Sequence, residues 1–395
     1  MKIESLFLFL FFIIIGTNFN ASISYVIFGV IVLLFLITRK RILLRATTWD
    51  FLALGFILLW MYGLLLGLYL KNRPEYIVAN NAGMILYVVY YLLLQIDISK
   101  EKIFQTLLYA SASIGIITLL IFVFNLLGIP QEIVGLLGES TGGASTGQRR
   151  VYFVSQISLF PGLAFFIGVY ISSSLQKKQY FNVVKYGEKL KVFLLFLFYT
   201  ICVALFTASK GFMMGYIFLL FLLPVALFYR GVMNGRLNKK IFFFFGMIIV
   251  LFLLLLSLGY VNIITSTFDN KDISNLARYE QLYFIINDLT FWGRGLGSVI
   301  PGYARNLDKP YGFELSYFSL VHKFGIIGIF AIIFYLIIIW RAMRNIVKGI
   351  NVKYALVSLG CITYLLPSIG NPLMFAPQAV VLNSFAIYLL RKKND

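Results

Sequence analysis

The chain has 395 residues, of which 61% are hydrophobic and 12% are charged, and its mean hydropathy is +0.90. Soluble domains are roughly half apolar and about a quarter charged, so this composition excludes a water-soluble fold. Apolar runs such as 192–208 and 241–258 are continuous and do not alternate with polar residues, which favours helices over strands. We therefore predict an all-α, multi-pass membrane protein.

Apolar windows close to the ~20 residues that cross a bilayer predict about twelve transmembrane helices. The first resembles a signal peptide but is followed by no small-residue cleavage site, so we interpret it as an uncleaved span. The predicted spans are 5–19, 22–38, 50–70, 76–94, 103–127, 151–175, 192–208, 211–229, 241–262, 316–340, 354–370 and 378–390.

The net charge of +19 is explained by membrane topology. If the N-terminus is cytoplasmic and the spans alternate, most Lys and Arg residues fall in the cytoplasmic connections, as the positive-inside rule requires. Both termini are then cytoplasmic. No nucleic-acid partner is needed to explain the charge.

Two connections on the outer face divide the chain. Residues 1–262 hold spans one to nine with an outer loop at 128–150, residues 263–315 form a large outer loop, and residues 316–395 hold the last three spans. Loops longer than about a dozen residues are usually functional. Apolar residues at helical spacing predict an amphipathic helix over 275–289 that lies on the membrane, followed by a glycine-rich turn.

Basic residues on the outer face are unusual. Arg149 and Arg150 precede the sixth span, Lys210 lies in a short turn between spans seven and eight, and Arg278 and Arg294 belong to the long loop. Such cations would hold an anionic, lipid-linked substrate, since guanidinium groups bind phosphate oxygens in pairs. The alternative interpretation is headgroup anchoring or a local ion pair.

Three further polar residues mark the start of the tenth span. Glu314 would serve either as a general base or as an acid that complements the helix dipole. His322 and Lys323 would be buried about 10 Å deep if the span begins near 316, and interfacial if it begins near 324. Metal ligands do not cluster, and no Walker loop or serine-hydrolase motif is present, so we expect neither a metal nor a cofactor.

The segment from Arg278 to Gly297 resembles the O-antigen ligase/polymerase family, in which an arginine opens an amphipathic helix that ends at a Gly-x-Gly turn. The segment from Glu314 to Gly328 is similar to that family's helix entry. The Ser-Lys-Gly turn at Lys210 is similar to its Ser-Arg turn, with lysine in place of arginine.

The resemblance implies a membrane glycosyltransferase architecture of the GT-C-like kind. It also implies transfer of a glycan from undecaprenyl diphosphate to a lipid-linked repeat unit, without metal or nucleotide. Glutamate at 314, where a ligase would have histidine, favours a polymerase over a ligase; a flippase is the remaining alternative. The expected catalytic residues are Arg278 and Glu314, and the expected substrate-binding residues are Arg149, Arg150, Lys210, Arg294 and His322.

The same resemblance implies a location and partners. The protein would lie in the bacterial cytoplasmic membrane with its active face outward. Its partners would be the lipid-linked oligosaccharide, membrane lipid, a chain-length regulator and a flippase.

Overall fold

The computed structural model describes residues 3–18, 21–38, 47–81, 83–130, 133–134, 151–172, 189–207, 209–233, 235, 246, 273–304, 306–307 and 309–391. Within these ranges the chain is helical and contains no β-strand beyond one isolated bridge. Arg149, Arg150 and, apart from Gly246, the ninth predicted span lie outside the described residues.

The helices follow one another along the chain with short connections. They are α1 (Ile3–Gly16), α2 (Ala21–Thr38), α3 (Thr48–Tyr69), α4 (Pro74–Asn81), α5 (Val88–Ile96), α6 (Lys100–Leu126), α7 (Leu159–Ser172), α8 (Lys189–Thr200), α9 (Lys210–Met233), α10 (Ile273–Asn287), α11 (Ser316–Phe324), α12 (Gly328–Lys348), α13 (Val352–Ile362) and α14 (Pro377–Leu390).

Seven helical segments of the described chain are long and apolar enough to cross a membrane. Four shorter apolar helices accompany them, at Glu4–Gly16, Ile23–Ile37, Leu190–Ala204 and Pro377–Leu390. Large apolar side chains remain exposed along α2, α3, α9 and α12, which suits contact with lipid and not with water. The protein is thus a multi-pass α-helical membrane protein, while the count of twelve spans stays a prediction.

Helix α3 begins at a capping box. The Thr47 hydroxyl accepts a hydrogen bond from the Asp50 backbone N–H, and the Asp50 carboxylate accepts one from the Thr47 backbone N–H at 2.8 Å. Asp50 is buried and also accepts a hydrogen bond from the Tyr90 hydroxyl at 2.8 Å. A buried carboxylate therefore ties the start of α3 to α5.

The core consists of α7, α13 and α14, whose residues are buried on nearly every side. Helix α13 packs against α7, α12 and α14, while α6 packs against α1 and α7. The remaining helices surround this centre and turn one face outward. The lipid-facing helices are consequently the ones with exposed apolar stripes.

Gly325 separates α11 from α12 because its φ of +60° and ψ of −145° cannot continue a helix. Helix α12 alone has 21 residues and rises about 31 Å, enough to cross a bilayer core. Helix α11 is therefore not needed for the crossing. His322 and Lys323, near its end, are nevertheless buried, with 0% and 7% of their surface exposed.

Candidate functional site

Helix α10 exposes an apolar face. Leu276, Tyr279, Tyr283 and Ile286, four of the six residues of the predicted stripe, are each more than half exposed. This arrangement suits a helix that lies on a membrane surface. Gln281 lies off the stripe as predicted, but it is 1% exposed and points into the protein.

Gln281 caps the neighbouring helix α11. Its Oε1 accepts hydrogen bonds from the backbone N–H groups of Glu314 at 2.9 Å and Leu315 at 3.3 Å. The N–H groups at a helix start have no partner within the helix, so a side chain from another helix can satisfy them. The cap fixes the start of α11 against α10.

The cap also explains the position of Arg278, one turn before Gln281 on the same helix. Arg278 Nε lies 3.3 Å from Glu314 Oε2, and the two side chains are 29% and 26% exposed. Arg278 Nη1 donates to Asn275 Oδ1 at 3.4 Å. The two predicted catalytic residues thus form a half-buried ion pair.

The 367–371 segment, which follows α13, packs against this pair. A Cβ atom placed on Gly370 would lie 3.3 Å from Arg278 Nε. The Ser316 hydroxyl, at the start of α11, donates to the Asn371 carbonyl at 2.7 Å. The segment therefore contacts both sides of the Arg278–Glu314 pair.

The same segment contacts the start of α9, where Lys210 lies. A Cβ atom on Gly211 would lie 2.8 Å from Pro367 Cα and 3.3 Å from Asn371 Nδ2. Lys210 is half-buried at the first residue of the helix. Only the 367–371 segment separates Lys210 from Arg278. The prolines around it had predicted a turn, but nothing in the sequence indicated that it joins these two cations.

A second polar group forms around Asp288, which sequence reasoning missed. Asp288 Oδ1 accepts from Arg294 Nη2 at 2.6 Å, and Asp288 Oδ2 lies 2.8 Å from His322 Nε2. Ser298 Oγ lies 3.5 Å from the other ring nitrogen of His322. Arg294 is 42% exposed and His322 is fully buried.

Lys323 is held by neutral groups. Its Nζ donates to Asn80 Oδ1 and, at 3.1 Å, to the Tyr311 carbonyl, and it lies 4.8 Å from the centre of the Phe313 ring. No acidic side chain pairs with Lys323 among the residues that the structure describes. A polar cavity, the alternative predicted for a buried Lys323, is what surrounds it.

The glycine-rich turn after α10 is bound to α11 and α3. Gly295 has φ +74°, and a Cβ atom on it would lie 2.3 Å from the Gly67 backbone nitrogen of α3. Arg294 N donates to the His322 carbonyl at 2.8 Å, and Gly295 N donates to the Lys323 carbonyl at 2.9 Å. Both the backbone conformation and the close approach require glycine at 295.

The structure thus brings the predicted residues into two groups joined by α11. Arg278 and Glu314 pair directly, with Lys210 across the 367–371 segment; Arg294 and His322 meet at Asp288. Within the described ranges, no group of three His, Cys, Asp or Glu side chains could hold a metal ion.

Neither a protein-family model nor a curated protein sequence matches this chain. The function is therefore argued from the site itself.

Proposed function

We propose that the protein is a polysaccharide polymerase, a metal-independent glycosyltransferase with twelve spans and a GT-C-like architecture, in the bacterial cytoplasmic membrane. It would act at the outer face, extending a lipid-linked repeat unit with a glycan from undecaprenyl diphosphate. The observation that supports it best is the Arg278–Glu314 pair at 3.3 Å, next to a helix with an exposed apolar face. A base and a cation side by side at the membrane surface suit a substrate with a sugar, a diphosphate and a lipid tail.

The reaction assigns one role to each member of the pair. The acceptor hydroxyl oxygen forms a bond to the anomeric carbon of the donor, and the bond from that carbon to the diphosphate oxygen breaks. Glu314 takes the hydroxyl proton, and the diphosphate leaves with the electron pair. Arg278 stabilises the developing negative charge, as a preorganised cation does in a water-poor site.

The ion pair also couples substrate binding to base activation. Arg278 holds Glu314 when no diphosphate is bound. A diphosphate carries more charge than a carboxylate and can bind guanidinium with two oxygens, so it would displace Glu314 from Arg278. The released carboxylate would then lie beside the bound donor, ready to accept a proton.

Lys210 contributes a second positive charge at the start of α9. A helix N-terminus attracts anions through its N–H groups and dipole, and a lysine there reinforces this attraction. Arg149 and Arg150 are proposed to extend the same cationic surface. Arg294, being partly exposed, would contact the glycan or diphosphate edge, whereas the fully buried His322 would act by positioning Asp288 and Arg294.

The test is gel analysis of surface polysaccharide from a strain that lacks the gene and carries a plasmid copy. Arg278→Ala and Glu314→Gln are each expected to reduce long-chain polymer by about a hundredfold or more, because each removes one chemical role. The matched control is Glu280→Gln, an exposed acid on α10, which should leave polymer length unchanged.

The products distinguish the alternatives. Single repeat units that remain attached to their acceptor support a polymerase. Long polymer that is no longer attached to its acceptor would identify a ligase, and lipid-linked units that accumulate on the cytoplasmic side would identify a flippase. Full-length polymer from the Glu314→Gln variant would remove Glu314 from the mechanism.

A further inference from the structure

A pocket lies at the far end of α12 from the Arg278–Glu314 pair. Its wall includes Arg341, Arg344 and Lys348 from the last turns of α12, Tyr354 from α13, and Arg391 from the end of α14. The three α12 residues are spaced by three and four, so they share one helix face. Four cations from two elements thus converge on one concave surface.

The helix dipole alone accounts for only part of this arrangement. Cations at a helix C-terminus are favoured, which applies to the α12 residues. Arg391, however, comes from another element and is 9% exposed. Its Nη2 lies 3.9 Å from the Asp50 carboxylate, which already accepts hydrogen bonds from Thr47 and Tyr90. Gathering these cations costs repulsion, and an anion in the pocket would offset it.

Other lysines near this end of the helices have acidic partners. Lys353 pairs with Glu101 at 2.5 Å, and Lys102 pairs with Glu4 at 2.5 Å. Within the part of the chain that the structure describes, no ion pair joins Arg341, Arg344 or Lys348 to an acidic side chain. The pocket therefore presents positive charge that the described protein does not neutralise.

Two tryptophans place the pocket at headgroup level. The Arg344 guanidinium lies 5.4 Å from the centre of the Trp340 ring, and Trp340 is 58% exposed. The Arg341 guanidinium lies 5.8 Å from the ring of Trp49 at the start of α3. Tryptophan is enriched where lipid tails meet headgroups, so the cations beside it lie where phosphates of lipids occur.

We infer that this pocket is a phosphate-binding site, occupied by the headgroup of an anionic phospholipid. Guanidinium groups bind phosphate with two hydrogen bonds, Lys348 adds a point charge, and the Tyr354 hydroxyl is a further polar group on the wall. The site would retain lipid between α12, α13 and α14 on the membrane side opposite the proposed reaction. It does not rest on the glycan-transfer proposal.

The test is native mass spectrometry of the purified full-length protein. The protein is released from micelles that contain equal amounts of phosphatidylglycerol and phosphatidylcholine. We expect wild type to retain phosphatidylglycerol in preference, and Arg344→Gln with Lys348→Gln to retain about tenfold less. The charge-matched control is Lys189→Gln with Lys191→Gln at the start of α8, which should retain as much as wild type.

A second arm replaces the lipid by inorganic phosphate. Retention of phosphate that falls in the Arg344–Lys348 variant supports the anion site and identifies a soluble ligand as its occupant; retention of phosphatidylglycerol alone identifies lipid. Equal retention of lipid and phosphate by wild type and the pocket variant would overturn the proposal. If the double variant does not fold, Lys348→Gln alone at its exposed position serves the same comparison.

Discussion

Asp288 binds two basic side chains at once, and it is the residue on which the second polar group depends. Its two oxygens contact Arg294 at 2.6 Å and His322 at 2.8 Å, with only 14% of the side chain exposed. Charge-assisted hydrogen bonds in such a position contribute roughly 1.5–3 kcal/mol each. The sequence offered no signal for this role, because nothing local distinguishes Asp288 from a solvated acid after a helix.

Asp288→Asn is expected to lower the free energy of unfolding by about 2 kcal/mol or more, since it leaves a buried histidine and an arginine without their carboxylate. Thermal unfolding in detergent measures this. Asp97→Asn is the control, because Asp97 is exposed and its left-handed conformation suits asparagine. Equal melting temperatures for the two variants would show that the Asp288 contacts contribute little.

At the scale of elements, the site depends on a cap between helices. Gln281 of α10 holds the backbone N–H groups of Glu314 and Leu315, so the start of α11 cannot move independently of the Arg278 helix. A helix-to-helix cap of this kind joins residues 33 and 34 positions apart along the chain. The position of Glu314 relative to Arg278 is therefore a property of two elements.

Gln281→Ala is expected to cost about 1 kcal/mol of stability and at least a tenfold loss of polymer, because Glu314 is no longer held beside Arg278. Polymer yield in the complemented strain and thermal unfolding of the purified protein are the two measurements. Gln105→Ala removes an exposed glutamine on α6 and should change neither quantity. A Gln281→Ala variant with wild-type yield would show that the cap does not position the base.

The glycine-rich turn makes a second element-scale prediction. Gly295→Ala should destabilise the protein by about 2–5 kcal/mol, since it adds both a left-handed backbone cost and a collision with α3. Gly302→Ala is the matched control: Gly302 also has φ +74°, but a Cβ atom there meets nothing within 4 Å. The difference between the two melting temperatures isolates the collision, and equal values would contradict close packing of the turn on α3.

At the scale of the whole molecule, the proposed function requires the Arg278–Glu314 pair and the α12 pocket to lie on opposite sides of the membrane. Helix α12 leads directly from α11 to the pocket, so one crossing separates the two. The cytoplasmic assignment of the basic connections predicts which side is which.

Cysteine labelling tests this orientation. Leu307→Cys, at an 88% exposed position of the outer loop, should react with a membrane-impermeant maleimide in intact cells. Lys191→Cys, at an exposed position at the start of α8, should react only after the membrane is permeabilised. The native Cys202 and Cys361 are fully buried and give little background. Labelling of Lys191→Cys in intact cells would reverse the topology.

The sequence by itself determined the class of the protein and most of its helices, because apolar runs and helical periodicity are local properties. It indicated an amphipathic helix with an exposed apolar face, which the structure confirms over Ile273–Asn287, and a glycine-rich turn after it. The burial of His322 and Lys323 depends on where α11 ends and α12 begins. That boundary was open in the sequence.

Only the tertiary structure decided which charges meet. Arg278 pairs with Glu314 and not with a neighbour on its own helix, Arg294 and His322 share Asp288, and the 367–371 segment reaches both Arg278 and the start of α9. These contacts join residues far apart in the chain. Helix packing brings them together, and spacing along one helix carries no information about the side chains that a different helix presents.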